Sequence, residues 1–320
     1  MSSVRNNFAA RTVRVKAPGK INVSFRVGPL RPDGYHAVAS LYLAVSLYEE
    51  VTATSTSASG VTVSIKGCST AEAQRSGIPL DERNLAVRAA LLMADVTERT
   101  TGVHLEITKR VPVSGGMGGG SADAAATLLA CDALWDSGLA REELAHLAVE
   151  LGADVPFALL GGAAVGLGVG ELLTPALAPS PLHWVLVQAD FGLSTPEVFG
   201  QLDRLRLASG AEPLDPGQVD PAVLQALRAG DAQALAPVLG NDLQPASLAL
   251  APQLAEVLDH GKQHGALASI VSGSGPTIAL LAADEASASG LAQRLVAAGS
   301  SAQAVHGPVH GAKLVSDLVH

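Results

Sequence analysis

The chain has 320 residues, 48% hydrophobic and 16% charged, which is long for one average domain and too apolar for disorder, so two domains around two cores are expected. Aromatic residues make up only 3%, leaving Ala, Val and Leu to fill those cores, and a net charge of -9 without a Lys/Arg cluster excludes a nucleic-acid surface. Cys68 and Cys131, far apart and the only cysteines, exclude a disulfide framework or zinc spacing and point to a reduced, cytoplasmic protein.

Residues 1–12 read as a ragged tail, with positive charge but no apolar core of a secretory signal behind it. Leu172–Ala189 and Gly265–Ala283 avoid charge for about the length of a membrane span, but three prolines interrupt the first and Gly-Ser-Gly-Pro the second, so no membrane association is expected. From Val13 the residues alternate, giving two strand-like runs broken at Pro18-Gly19, with Lys20 at the break, where local pattern alone makes it a solvated edge residue. Asp33-Gly34 is a turn signal, and the adjacent Tyr35-His36 pair, in a chain so poor in aromatics, is suited to stacking on or hydrogen-bonding a planar ligand. Strands follow at Leu41–Val51 and Val61–Ile65, with Ala53–Gly60 as the loop between them.

Asp81-Glu-Arg-Asn84 opens a helix over Leu85–Ala94, and Val103–Ile107 is an alternating strand leading through Lys109-Arg110 into PVSGGMGGGSADAAAT, residues Pro112–Thr127. Five glycines in nine residues pass directly into an alanine-rich helix. Glycines let a backbone approach a ligand, and the first N–H groups of a helix are unpaired at the positive end of its dipole, so the stretch predicts a polyphosphate site. The alternative is a ligand-free hinge. Gly115 and Gly120 have Walker A spacing, but Ser121 and Ala122 stand where Lys and Ser/Thr are required, so any lysine must come from elsewhere.

A second helix is predicted over Arg141–Leu151, ended by Gly152, and is followed by Asp154 in an apolar setting that demands either a partner or a capping role for the segment starting at Pro156. Gly161–Gly170 lacks the dinucleotide fingerprint and reads as a closely packed strand, and Pro175–Pro181 as a linker. Beyond it come a strand at Trp184–Ala189, three helices over about 196–264, the strand-turn-strand SIVSGSGPTIALL, a helix at Leu291–Ala298 and a strand at Ala302–Val305. His260/His264 and His306/His310 have i, i+4 spacing but lack the zincin carboxylate, and read as solvated faces.

Five segments, APGKINVSFRVGPLRPDGYH, NLAVRAA, PVSGGMGGGSADAAA, LGADVPF and VSGSGPT, occur in the order found in the GHMP kinases (galactose, homoserine, mevalonate and phosphomevalonate kinases and relatives). The chain resembles that family from Val15 to about Leu281, and its DGYH segment and loop wording resemble the branch acting on a cytidine-diphosphate-linked methylerythritol of the isoprenoid route. The resemblance implies an α+β fold in two domains, 1–170 for ATP and 171–320, ferredoxin-like, on the substrate side, facing each other across a cleft. It also implies ATP with Mg²⁺, a small-molecule substrate, and a monomer or weak homodimer.

Carried over residue by residue, the resemblance assigns the ATP phosphates to Pro112, Val113, Ser114, Gly115, Gly116, Met117, Gly118, Gly119, Gly120, Ser121 and Ala122, with Ser121 near Mg²⁺. Asn84 and Lys109 match nucleotide contacts. Asp154 matches the group that takes the hydroxyl proton, and Lys20 the cation that orients the hydroxyl. Asn22, Tyr35, His36 and Phe199 match substrate-side positions, with His36 suited to cytosine. Ala140 replaces a Ser or Thr common in the family, which removes a helix cap. Two other readings stay open here: a homoserine- or mevalonate-type kinase, and a sensor on the same fold that binds without catalysing.

Overall fold

The computed structural model describes residues 10–315, so the tail expected at 1–12 lies outside the described residues up to residue 9. In chain order the first half contains β1 (Thr12–Leu30), β2 (His36–Thr56), β3 (Val61–Ile65), α1 (Thr70–Arg75), α2 (Leu85–Val96), β4 (Gly102–Thr108), α3 (Gly119–Trp135), α4 (Arg141–Leu151), α5 (Val155–Leu160), β5 (Ala163–Leu167) and β6 (Leu172–Ala176). The second half contains β7 (Leu182–Gln188), α6 (Thr195–Ser209), α7 (Pro221–Ala229), α8 (Ala232–Leu235), β8 (Gly240–Asn241), α9 (Gln244–Leu250), α10 (Gln253–Gln263), β9 (Ala268–Val271), β10 (Ile278–Ala282), α11 (Glu285–Ala297), β11 (Ser301–Gly307) and β12 (Lys313–Leu314).

One sheet runs β12-β1-β2-β4-β3, with β5 on β2, β6 on β5 and β8 on β1; the other runs β11-β7-β10-β9, antiparallel throughout. The second has ferredoxin-like order, and the whole is α+β, as the resemblance implies. Among the described residues no helix is long and apolar enough to cross a membrane.

The break expected at Pro18-Gly19 is instead a register shift inside one long strand. Proline brings no N–H to the ladder, and the irregularity turns the strand over. Val15 and Ala17 therefore face the helical core of α2, α3 and α4, whereas Ile21 and Val23, in the same alternating phase, face the opposite way. β2 switches with it: Leu41 and Leu43 sit with Ile21, while Val51 and Ala53 sit with Val15. After the switch the first sheet packs on the second, where Trp184, Leu186 and Leu281 complete the shared core, and α10 and α11 cover the second sheet's far side.

Burying a large apolar side chain is worth about 1.5–3 kcal/mol. The shared core contains many of them, drawn from both halves of the chain. Pro175 of the expected linker lies within β6, an edge strand that tolerates a missing donor.

Other departures are local. β2 extends to Thr56, shortening the loop expected at 53–60, and the region 196–264 holds α6 to α10 rather than three helices, because Gly210, Gly230 and the prolines interrupt it. α11 starts at Glu285, six residues before the expected Leu291, capped by Asp284. α1 was not foreseen, although Ser69 and Glu72 form a capping box. The His260/His264 pair lies at the end of α10 with no metal-binding cluster among the described residues.

At α4 only half a capping box exists: Glu143 accepts the Ala140 N–H at 2.7 Å, but Ala140 has no oxygen to return. Ala140→Ser should therefore raise stability by about 1 kcal/mol, read as a higher urea midpoint. An unchanged or lower midpoint would show that this helix end is already satisfied.

Candidate active site

The glycine stretch folds as a loop running into α3, which starts at Gly119, two residues earlier than the alanine run suggests. Gly118 is the N-cap with φ 70°, and Gly116 has φ 74°. At Gly116 a Cβ would strike the Ser272 carbonyl, and Thr277 N–H donates to the Gly115 carbonyl at 3.3 Å, so the second sheet's glycine turn clamps the loop. The Ala122 N–H is taken by the Gly118 carbonyl at 2.9 Å. Those of Gly119, Gly120 and Ser121 precede the first helical bond and point out of the helix end, as an anion requires.

Lys20 reaches this loop because of the register shift. Its N–H donates to the Met117 carbonyl at 3.0 Å, outside the sheet, and its side chain runs beneath the loop with the residue only 8% exposed. Nζ donates to Asn22 Oδ1 at 2.7 Å, lies 3.7 Å from Asp154 Oδ2 and 5.5 Å from the centre of the Tyr42 ring. An ammonium has three donors, so the others are free to face the cleft. A Cβ added at Gly118 would come within 3.5 Å of Lys20 Cγ and 3.7 Å of Asp154 Oδ2. Burial first, and then the charge of Asp154, hold the Tyr42 phenol well above its ordinary range, so it keeps its proton beside the carboxylate.

Beneath the other side of the loop lies a second, quite different charge cluster. Lys109 Nζ contacts Asp123 Oδ2 at 2.7 Å and Glu49 Oε1 at 2.9 Å. Glu49, fully buried, also accepts the Arg110 and Val111 N–H groups, both at 3.1 Å. Burial, then the charge of Asp123, push Glu49 up to about 7 against the pull of Lys109. Burial likewise raises Asp123. Burial works against the Lys109 charge too, but the two carboxylates outweigh it and raise its pKa.

At the far end of the same cleft, whose volume is about 1010 Å³, Tyr35 stands 64% exposed at the rim while His36 is nearly buried. The Phe199 ring, from α6, lies 5.1 Å from the imidazole at 33°. Asp203, one turn on, has Oδ1 2.9 Å from His36 Nε2. The volume exceeds that of most single-ligand pockets, leaving room for a nucleotide and a second molecule.

The structure thus gathers Lys20, Asp154, Tyr35, His36, Phe199, Asn84, Lys109 and most of the loop around one cleft. Three expected contacts fall behind its wall. Asn22 is fully buried beneath Lys20, bonded to it and to Ser40 Oγ at 2.7 Å, and Met117 and Ala122 point into the core. Asn84 lines the cleft, but its Oδ1 caps α2 by accepting the Ala86 N–H at 2.9 Å. Lys20 is not a solvated edge residue. Asp154 makes no capping bond, and its side chain, 30% exposed, is less buried than its apolar neighbours suggest.

Tyr42, Glu49, Asp123 and Asp203 were missed. Asp123 was legible as a lone carboxylate in an alanine run, but Glu49, one of the adjacent pair Glu49-Glu50, and Asp203, in the ordinary helical wording QLDRLR, carry no signal of their own.

The folded chain holds the Glu49 proton more tightly than the unfolded chain, so the stability this gives is full below about pH 4.5 and is lost as pH rises through about 7. Glu49→Gln should flatten the fall in urea midpoint between pH 5 and 8; an unchanged slope would assign it to other groups.

Residues 84–162 match the GHMP kinases N terminal domain and residues 223–301 the GHMP kinases C terminal domain. The chain is 69% identical over 319 residues to the 4-diphosphocytidyl-2-C-methyl-D-erythritol kinase of Arthrobacter sp. (strain FB24), and 68% identical over 319 residues to the enzyme of that name from Pseudarthrobacter chlorophenolicus, covering 100% of both chains in each case. A crystal structure of 4-(cytidine 5'-diphospho)-2C-methyl-D-erythritol kinase superposes with a TM-score of 0.73 at 32% identity, over 94% of this chain and 100% of that one. With relatives this similar along their whole length, and with a glycine loop facing a lysine and a carboxylate, the chain belongs to the GHMP kinases, which take their phosphoryl group from ATP.

Proposed function

We propose that the chain transfers the γ-phosphoryl group of ATP to the 2-hydroxyl of 4-diphosphocytidyl-2-C-methyl-D-erythritol, giving the 2-phosphate, in the methylerythritol phosphate route of isoprenoid biosynthesis. The observation that carries this reading is the Lys20–Asp154 pair facing Gly118 of the loop, with Tyr35, His36 and Phe199 lining the same cleft. The names of its relatives support the substrate.

Phosphoryl transfer needs positioning and charge stabilisation more than covalent chemistry. The N–H groups of Gly119, Gly120 and Ser121 bind phosphate oxygens, and the free donors of Lys20 hold the attacking hydroxyl and the charge that develops opposite it. Asp154 accepts the hydroxyl proton as the oxygen attacks phosphorus and the bond to the β-phosphate oxygen breaks. Asn22 acts one step back by holding Nζ, and Tyr42 by flanking Asp154. Lys109 and Asn84 border the nucleotide end, with Lys109 already engaged by two carboxylates.

A magnesium ion brought with the triphosphate would neutralise phosphate charge. The residues fit it at Ser121, whose hydroxyl-bearing side chain lines the cleft in the first turn of α3, and at Asp123, whose buried Oδ1 has no partner. Residues 1–170 carry the nucleotide loop and also Tyr35 and His36 of the substrate end, to which 171–320 add Phe199. Both sides of the cleft come from one chain, which supports a monomer or weak homodimer, and the net charge of -9 supports a small-molecule substrate over a nucleic acid.

Asp154→Asn should leave ATP affinity nearly intact and lower kcat at least about 100-fold, measured by ADP release beside nucleotide titration. Near-normal turnover would assign the proton to another group. In a panel of the cytidylyl substrate, homoserine and mevalonate, only the first should be turned over; turnover of either other compound alone would overturn the substrate.

A further inference from the structure

His36 is held from two directions by one helix. Phe199 and Asp203 are four residues apart on α6 and therefore share a face. Phe199 lies against the imidazole plane, and the Asp203 carboxylate meets its edge at Nε2. A carboxylate can only accept, so Nε2 carries the hydrogen and, in the neutral ring, Nδ1 is left with a lone pair. Among the described residues Nδ1 has no hydrogen-bond partner, and His36 lines the cleft. The neighbouring charges are committed elsewhere: Arg31 to Asp33 on the turn before β2, and Arg206 to Asp242 and the Val27 and Gly28 carbonyls.

We propose that Asp203 is a specificity-determining positioning residue, fixing His36 so that Nδ1 presents an acceptor to the exocyclic amino group of an aminopyrimidine and rejects uracil. The inference rests on the cytidylyl substrate proposed above. Cytosine offers an N–H donor at carbon 4, where uracil has a carbonyl oxygen. Opposite Nδ1, uracil sets two acceptors against each other in a nearly buried place, where an unpaired polar group weakens binding by about 10- to 100-fold. Without Asp203 the ring can shift its hydrogen to Nδ1 and present a donor, which suits uracil as well.

The experiment compares kcat/KM for the cytidine diphosphate substrate and its uridine counterpart in the wild type, Asp203→Ala, Asp203→Leu, His36→Ala and the Asp203→Ala/His36→Ala double variant. The wild type should favour the cytidine compound by about 10- to 100-fold or more. Asp203→Ala should raise KM for that compound with a much smaller change in kcat and none in KM for ATP. It should also bring the two bases within a few-fold of each other, and the double variant should be no worse than His36→Ala.

The Asp203 side chain is 37% exposed on a surface helix, and Asp203→Leu, of similar shape but with no acceptor, gives a second reading should the Ala variant fold poorly. A cytidine preference that survives both Asp203 substitutions, or a further loss in the His36→Ala background, overturns the inference while leaving the proposed substrate intact. A wild type that turns over neither compound overturns the substrate, and this inference with it.

Discussion

A lysine ammonium buried under a glycine loop is the constraint on which the site depends. Desolvating that charge is costly unless partners compensate, and here they come from three places: Asn22 on the same strand, Tyr42 on the neighbouring strand, and Asp154 at the entry to α5. All three are held where the first sheet turns over. The shift at Pro18–Lys20 removes the Lys20 N–H from the ladder, ties it to Met117 in the loop, and moves the strand's apolar side chains from the helical core to the core shared with the second sheet. One irregularity thus joins the two cores and aims the cation.

Among the described residues two lysines, Lys20 buried and Lys109 half-buried, lie near the loop, and their surroundings differ. Lys109 is clasped by Asp123 and Glu49 at 2.7 and 2.9 Å, a cluster that carries more negative than positive charge and keeps a proton on Glu49 near neutrality. It braces the loop's approach through the Arg110 and Val111 N–H groups. Lys20 has one short hydrogen bond and a longer contact with a partly exposed carboxylate, so its charge is directed into the cleft. Under the proposed function, the lysine that a Walker A loop carries within itself is supplied by a strand about a hundred residues upstream.

What the sequence revealed follows from how locally each feature is encoded. The glycine run, the cap at Asn84 and the turn at Asp33-Gly34 depend on neighbouring residues, and they lie where the residues themselves indicate. The face switch in β1 does not, because alternation continues unbroken through it and only the partner strand reveals which core each side chain meets. The same limit hid Asp203, whose importance lies in a histidine 167 positions away. Composition also misled at Asp154: an apolar neighbourhood in sequence suggested burial, whereas in space the carboxylate opens onto the cleft. Asn22 went the other way, matching a substrate position while lying wholly beneath Lys20.

The central claim is that Lys20 and Asp154 act as one unit on the transferred group. Single-turnover rates of phosphoryl transfer, measured in Lys20→Met, Asp154→Asn and the double variant, test it most directly. Groups that work on the same step as a pair lose most of their effect when either is removed, so the double variant should be no more than a few-fold slower than the slower single variant. Losses that multiply in the double variant would mean that the two side chains act independently, contradicting the account.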